Sequence, residues 1–199
     1  MKLLLATNNK NKIKEIVNIL SKYDFEFVLP GEVNCFIDPE ETGSTFCENA
    51  LIKARAFYEA TNIAALADDS GLEVDALDKK PGVLSSRFFG DVTDAEKCMG
   101  ILKLLGDLSF EKRTARFKAC FVLYDGKILS QAQGACEGHI GFEPKGENGF
   151  GYDPIFIPLN FKKSMAELSI DEKEKISHRG NALRILSNNI KNLKNRKVK

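Results

Sequence analysis

Short apolar runs of strand period alternate along this chain with segments whose apolar residues recur three and four apart, a pattern that predicts strands interleaved with helices. Lys2 to Ala6 is a short apolar run that ends in polar residues, and Ile13, Ile16, Val17 and Leu20 follow at helical spacing, so the chain opens strand, loop, helix. A second helix is marked by Thr45 with Glu48 three residues on, a capping-box pattern, and by Phe46, Ala50, Ala54 and Phe57 along one face. Ile63 to Ala67 reads as a buried strand that delivers Asp68 and Asp69 at its end, followed by Ser70 and Gly71. Leu72, Val74 and Ala76 then alternate with polar residues up to a turn at Pro81 and Gly82.

Thr93 with Glu96 predicts a third capped helix, with Cys98, Ile101, Leu102 and Leu105 facing inward and a stop at Gly106. Alternation from Ala115 to Leu123, then Asp125-Gly126, then Lys127 to Gly134 predicts an antiparallel hairpin. Gly141 to Asp153 reads as a loop, Ile155 to Ile157 as a short strand, and Leu183, Leu186, Ile190 and Leu193 as the apolar stripe of a C-terminal helix. The expected class is therefore α/β, a mixed sheet flanked by helices, with no repeat or linker that divides the 199 residues into separate domains.

Composition narrows the function classes. With 43% hydrophobic residues and 29 basic against 28 acidic side chains, the chain has an ample core and no global field to hold a polyanion, so any nucleotide chemistry must come from local clusters. No apolar run approaches the roughly 20 residues of a membrane span, and Leu3 to Ala6 is too short for a signal-peptide core, which points to a soluble, cytoplasmic protein without membrane or nucleic-acid partners. Five basic residues between Lys191 and Lys199 form a basic tail, read as a solvated terminus. The cysteines Cys35, Cys47, Cys98, Cys120 and Cys136 are scattered and contain no Cys-x-x-Cys pair, so reduced, buried thiols are expected.

Four polar clusters carry candidate chemistry. Thr7, Asn8, Asn9, Lys10, Asn11 and Lys12 lie between a strand and the first turn of a helix, where backbone amides and the helix dipole attract phosphate, although the glycine pattern of a P-loop is absent. Glu40 and Glu41, with Asp68 and Asp69, supply hard oxygen ligands from two segments; such crowding favours a divalent cation and a carboxylate able to act as general base. The run from Glu147 to Pro154 brings Phe150, Gly151, Tyr152 and Asp153 into a glycine-rich loop where an aromatic ring can stack on a base. Ser177-His178-Arg179-Gly180, preceded by Lys173, offers planar and cationic donors between two helices. Two histidines in the whole chain exclude a His-rich metal site.

Taken together, the stretches LATNNKNKIKEI, EETGSTFCENALIKARAF, LADDSGLEVDAL, PGVLSSRF, GFGYDPIF and ISHRGNALR closely resemble the inosine triphosphate pyrophosphatase family over nearly the whole chain. The one departure is Asn8, where bacterial relatives often carry glycine. The resemblance implies a long, twisted mixed sheet dividing into two lobes around a nucleotide cleft, a homodimer, and Mg²⁺-dependent hydrolysis of ITP, dITP and XTP to the monophosphate and pyrophosphate, which cleanses the nucleotide pool. It also implies that Thr7 to Lys12 and Lys53 bind the triphosphate, and that Asp69 accepts a proton and ligates Mg²⁺ with Asp68, Glu41 and Glu40. Ser70 then touches the substrate, Phe150 with Gly151, Tyr152 and Asp153 walls the base, and Lys173, His178 and Arg179 read its edge. The alternatives left open are a related pyrophosphatase for modified pyrimidine or methylated nucleotides, and a nucleotide-binding module without turnover.

Overall fold

The computed structural model describes residues 1–196, with side chains as far as Lys191. Its regular elements run β1 (Lys2–Leu5), α1 (Lys10–Leu20), β2 (Glu26–Val28), α2 (Phe46–Thr61), β3 (Ala65–Val74), β4 (Lys80–Pro81), α3 (Asp94–Leu105), β5 (Thr114–Tyr124), β6 (Ile128–Ile140), β7 (Phe156–Pro158), α4 (Ile170–Ile176) and α5 (His178–Arg196). The strands form one sheet in the order β2-β1-β3-β5-β6-β7, with β4 beside β3. β1 pairs in parallel with β2 and β3, whereas β3–β4 and β6–β7 are antiparallel. The mixed α/β architecture expected from the hydrophobic pattern is thus the one observed.

The chain divides into two compact units. The first comprises Met1–Asp69, Ala119–Gly134 and Arg179–Lys199; the second comprises Ser70–Lys118 and Ala135–His178. β3, β5 and β6 contribute residues to both. In the first unit, Leu3 and Leu5 of β1, Ile16 and Leu20 of α1, Leu66 of β3, Phe121 of β5 and Leu183 and Leu186 of α5 share one apolar core. In the second, Leu72 and Val74 of β3, Ile101 and Leu105 of α3, Phe117 of β5, Ile140 of β6 and Phe156 of β7 share another. Each fully buried Leu or Phe contributes about 1.5–3 kcal/mol, so the two cores are what fix the strand registers from which the polar clusters project.

The predicted caps are present. Thr45 Oγ1 accepts from the Glu48 amide at 3.2 Å while the Glu48 carboxylate accepts from the Thr45 amide at 3.2 Å, and Thr93 and Glu96 repeat the arrangement at the head of α3. Within the second unit the buried Arg113 donates to the carbonyls of Leu108 at 2.8 Å and Gly141 at 2.9 Å, and also to that of Gly106. It thereby ties the end of α3 to the start of the loop that follows β6.

Several expectations need correction. Asp68 and Asp69 lie within β3, not at a strand end, because the strand continues through Ser70 and Gly71 to Val74. What ends there is the neighbour: β1 stops at Leu5, opposite Leu66, so β3 runs on past its parallel partner. The return strand of the hairpin extends to Ile140 instead of Gly134. β2, three residues long, is too short to show a period, whereas α4, which ends at Ile176, is the helix expected before Ser177. Cys47 and Cys120, 73 residues apart in sequence, form a disulfide with Cα atoms 5.1 Å apart; Cys35, Cys98 and Cys136 are free and buried. Pairing of that range depends on α2 lying on β5, which no local spacing reveals. The side chains of the basic tail beyond Lys191, that of Leu193 included, lie outside the described part; Lys191 itself places its ammonium 5.8 Å from the centre of the Tyr23 ring. Among the described residues no helix is long and apolar enough to cross a membrane.

One charged network on the second unit gives a pH test. Arg116 of β5 grips Asp75 through two bonds of 2.8 Å and reaches Glu137 at 2.9 Å, while Thr114 donates to Asp75 at 2.7 Å. These bonds, Arg116 first, hold the Asp75 carboxyl at about 2 against an ordinary 3.8. A depressed carboxylate stabilises the fold above its unfolded pKa and loses that contribution as pH falls through the folded one. Asp75→Asn is therefore expected to lower the melting temperature by about 2–4 °C at neutral pH, a modest effect because the pair is solvent-screened. In melts at stepped pH, the gap should close as pH drops from about 3.8 toward 2; a gap independent of pH would show the pairing contributes nothing.

Candidate functional site

Two consecutive carboxylates on a buried strand dominate the first unit. Asp68 and Asp69 bond to different partners, although the charges of Lys12 and Lys53 act on both. Asp68, 2% exposed, is ion-paired with Lys12 Nζ at 2.9 Å. Asp69, 7% exposed, accepts from Asn49 Nδ2 at 3.0 Å. Lys53, one turn beyond Asn49 on α2, is paired with Glu41 at 2.5 Å. Burial alone pushes the Asp68 carboxyl up, but the Lys12 and Lys53 cations outweigh it and hold the group below the usual carboxylate range. Burial also pushes Asp69 up, and there Lys53 and Asn49 do not offset it, so Asp69 binds its proton more tightly than an ordinary aspartate. Burial favours the neutral form of Lys53, yet Asp68 and Asp69 beside it raise its pKa, and it stays an ammonium.

The loop before α1 is built differently from the expectation. Asn9 is the N-cap, and its side-chain oxygen accepts from the amides of Asn11 at 3.0 Å and Lys12 at 3.2 Å, so those two donors are already engaged. Thr7 is half-buried and its hydroxyl accepts from the Asn9 amide at 3.2 Å, while Asn8, Asn9, Lys10 and Asn11 are exposed. Of this loop, Lys12 is the residue that reaches the acidic pair. Glu40 is exposed, and Ser70 follows Asp69 along β3 as the first residue of the second unit. Arg179, 4% exposed in the first turn of α5, is paired with Glu15 of α1 and its charge helps lower the Asp68 pKa. Arg179 therefore belongs to the same unit as the acidic pair.

The second unit holds the aromatic cluster. Lys173 of α4 is buried and pairs with Asp153 at 2.5 Å, and its ammonium lies 5.3 Å from the centre of the half-buried Phe150 ring. Asp153 also accepts from the Phe150 amide at 2.8 Å, and Tyr152 donates to the Ser85 carbonyl at 3.0 Å. Gly149 has φ +80°, and a Cβ there would stand 2.1 Å from Asp153 Oδ2, so only glycine allows this closure. His178, 2% exposed, stacks on Phe117 with ring centres 4.8 Å apart. The cysteines nearby are inert: burial pushes the Cys98 thiol up to about 12 and that of Cys136 to about 11.

Three residues that the sequence reading passed over hold these groups in place: Asn49, Glu15 and Asp94, the last accepting from the Gly151 amide at 2.7 Å. Asn49 had a signal. It is a polar residue on the apolar stripe of α2, next to Phe46 and Ala50, and it is fully buried. The α4 helix had one too, since Ser169 and Glu172 form a capping box two turns before His178.

The donor set fits a hard divalent ion. Asp68 Oδ1 is buried without a hydrogen-bond partner, and Asp69 and Glu41 add further carboxylate oxygens in the same electrostatic cluster. Among the described residues no group of three or more His, Cys, Asp or Glu side chains is placed to hold a metal alone. An ion of this kind is commonly bound by only one or two carboxylates, with water and substrate phosphate completing its shell.

Removing the Asn49 donor tests the arrangement. Asn49→Ala takes a buried hydrogen bond from Asp69 and is expected to destabilise the protein by about 1–3 kcal/mol in denaturant titration. A loss under half a kcal/mol, the surface-substitution scale, would mean the bond does not support Asp69.

Comparison with known proteins places the chain in a family. The Ham1 family model matches residues 3–189. The dITP/XTP pyrophosphatase of Aquifex aeolicus is 50% identical over 96% of this chain and 98% of its own length, and that of Elusimicrobium minutum is 48% identical over 96% and 100%. A HAM1 protein from Coxiella burnetii superposes with a TM-score of 0.88 at 42% identity, covering 96% of this chain and 99% of that one. The Staphylococcus aureus Ham1 protein gives a TM-score of 0.87 at 37% identity, with 96% and 99% covered. On sequence over nearly its whole length and on fold alike, the chain belongs to the Ham1 family.

Proposed function

We propose that this protein hydrolyses deaminated purine nucleoside triphosphates, ITP, dITP and XTP, to the monophosphate and pyrophosphate. The observation that carries the reading is the buried pair Asp68 and Asp69 set against Lys12 and Lys53, in a chain half identical to a dITP/XTP pyrophosphatase. A polyanion with about four negative charges repels a nucleophile, and cations must offset that repulsion before water can attack. Lys12 and Lys53 supply part of it, with Thr7, Asn8, Asn9, Lys10 and Asn11 lining the approach to Lys12. Asp68 and Asp69, with Glu41 and Glu40 assisting, would hold magnesium, which would supply further charge neutralisation.

Asp69, oriented by the Asn49 amide at 3.0 Å, takes the proton from the attacking water. The water oxygen bonds to the α-phosphorus, the bond from that phosphorus to the bridging oxygen breaks, and pyrophosphate leaves with the electron pair. No side chain forms a covalent intermediate. The base is handled by the other cluster: Phe150 stacks on the purine beside Gly151, Tyr152 and Asp153, and Ser70 contacts the substrate next to Asp69. The 6-oxo group of hypoxanthine or xanthine accepts from Lys173, His178 or Arg179. Adenine presents an amino donor there and leaves buried donors unpaired, at about 1–3 kcal/mol each. A cytoplasmic homodimer completes the reading; light scattering on a size-exclusion column tests the dimer.

A nucleotide panel with Mg²⁺ tests the assignment: pyrophosphate should appear fastest from ITP, dITP and XTP. Preference for a modified pyrimidine nucleotide would overturn the substrate class, and tight ITP binding without monophosphate would overturn the catalytic claim. Asp69→Asn is expected to lower turnover at least about 100-fold with the fold intact by circular dichroism; wild-type turnover would remove Asp69 from the chemistry. Lys12→Ala should raise KM and lower kcat together, because its charge acts in ground and transition states alike. Unchanged constants would place the phosphates elsewhere.

A further inference from the structure

The loop that carries Phe150 is gripped from outside by α3, at a residue that neither the family signature nor the reaction assigns. Thr93 and Glu96 cap the first turn of α3, so Asp94 at its first position is not needed to cap the helix. Its carboxylate is divided instead: Oδ1 is paired with Lys97 at 3.2 Å, and Oδ2 accepts from the Gly151 amide at 2.7 Å. One turn further along the same helix, the Cys98 thiol donates to the Gly151 carbonyl at 3.4 Å. Both peptide groups of Gly151 are thus tied to α3.

Gly151 has φ +64°, and an added Cβ would meet nothing within 4 Å. Glycine is used here for its backbone conformation, not for space, and that conformation turns the amide toward Asp94. On the other side of the ring, the Phe150 amide is held by Asp153 at 2.8 Å, and Asp153 in turn is held by Lys173 at 2.5 Å. The ring therefore sits between two fixed peptides, one anchored to Asp153 and the other to α3.

We propose that Asp94 is a positioning residue for base recognition, setting the Gly151 peptide and with it the plane of the Phe150 ring. This rests on the purine nucleotide reading above. The consequence is a division of effects. Loss of the Asp94 carboxylate loosens the stacking surface, while Lys12, Lys53, Asp68 and Asp69, which lie in the other unit, keep their own partners.

Calorimetric titration of Asp94→Ala and Asp94→Asn with IMP, and separately with Mg²⁺ and inorganic pyrophosphate, tests it alongside steady-state kinetics on ITP. For Asp94→Ala the dissociation constant for IMP and the KM for ITP should each rise about tenfold, the scale of one charged hydrogen bond, with kcat changing much less and pyrophosphate affinity unmoved. Asp94→Asn retains an amide oxygen that accepts the same N–H, so it should recover most of the loss. Unaltered IMP affinity in Asp94→Ala, an equal loss for pyrophosphate, or failure of the asparagine to rescue would each overturn the proposal. A wild-type protein that neither binds IMP nor cleaves ITP would instead sink the purine reading on which it depends.

Discussion

Everything in the first unit is arranged around the difficulty of keeping two adjacent carboxylates inside a sheet. Moving a single charge out of water costs several kcal/mol even after relaxation, and a second like charge on the next residue adds repulsion. Asp68 is held ionised because Lys12 and Lys53 stand close enough to reverse the effect of burial. Asp69 has the weaker compensation: Lys53, the Asn49 amide and Lys12 do not offset its burial and the nearby Glu41 charge, and its pKa rises. The pair splits into one firmly charged and one proton-seeking carboxylate, which is the condition for giving two like groups two roles.

The secondary structure exists in the form that delivers those partners. β1 stops at Leu5, and the chain turns through the Asn9 cap so that Lys12 lies in the first turn of α1, beside the part of β3 that β1 no longer covers. On α2, Asn49 and Lys53 are four residues apart and share a face. That face also carries Phe46, Ala50, Ala54 and Phe57, so burial of the apolar stripe drives the two polar groups inward. The Cys47–Cys120 bond adds a covalent tie between α2 and β5 in the same unit.

Much of this was legible from residue order. Capping boxes at Thr45 and Thr93 and the alternation of β5 mark their elements because they are local, with both partners within three residues or one strand. Asp68 and Asp69 stand out by composition, but their place within β3 depends on where a different strand ends, and no window along the chain contains that fact. The partners were hidden for a related reason. Glu15 to Arg179 spans 164 residues and Asp94 to Gly151 spans 57, and such pairs become visible only once the sheet order is known. The loop before α1 illustrates a subtler failure: its amides looked available to an anion, whereas the same Asn9 that signals a helix start already takes two of them.

The titratable groups of the two units sit in contrasting environments. The Cys98 and Cys136 thiols are pushed to about 12 and 11, so they stay protonated near neutral pH and offer no nucleophile. His178 is sealed against Phe117 at 2% exposure, in the unit that holds the aromatic loop and not the Asp68 and Asp69 pair. Asp68 is the poorer base of the two aspartates, because the lysines that keep it charged also lower its affinity for a proton. Asp69 combines a raised pKa with a fixed orientation, and the Asn49 amide at 3.0 Å supplies that orientation without adding a charge. A lysine in place of that amide would hold the carboxylate as firmly but make it a weaker acceptor. A neutral donor at this position is therefore what the proposed chemistry requires.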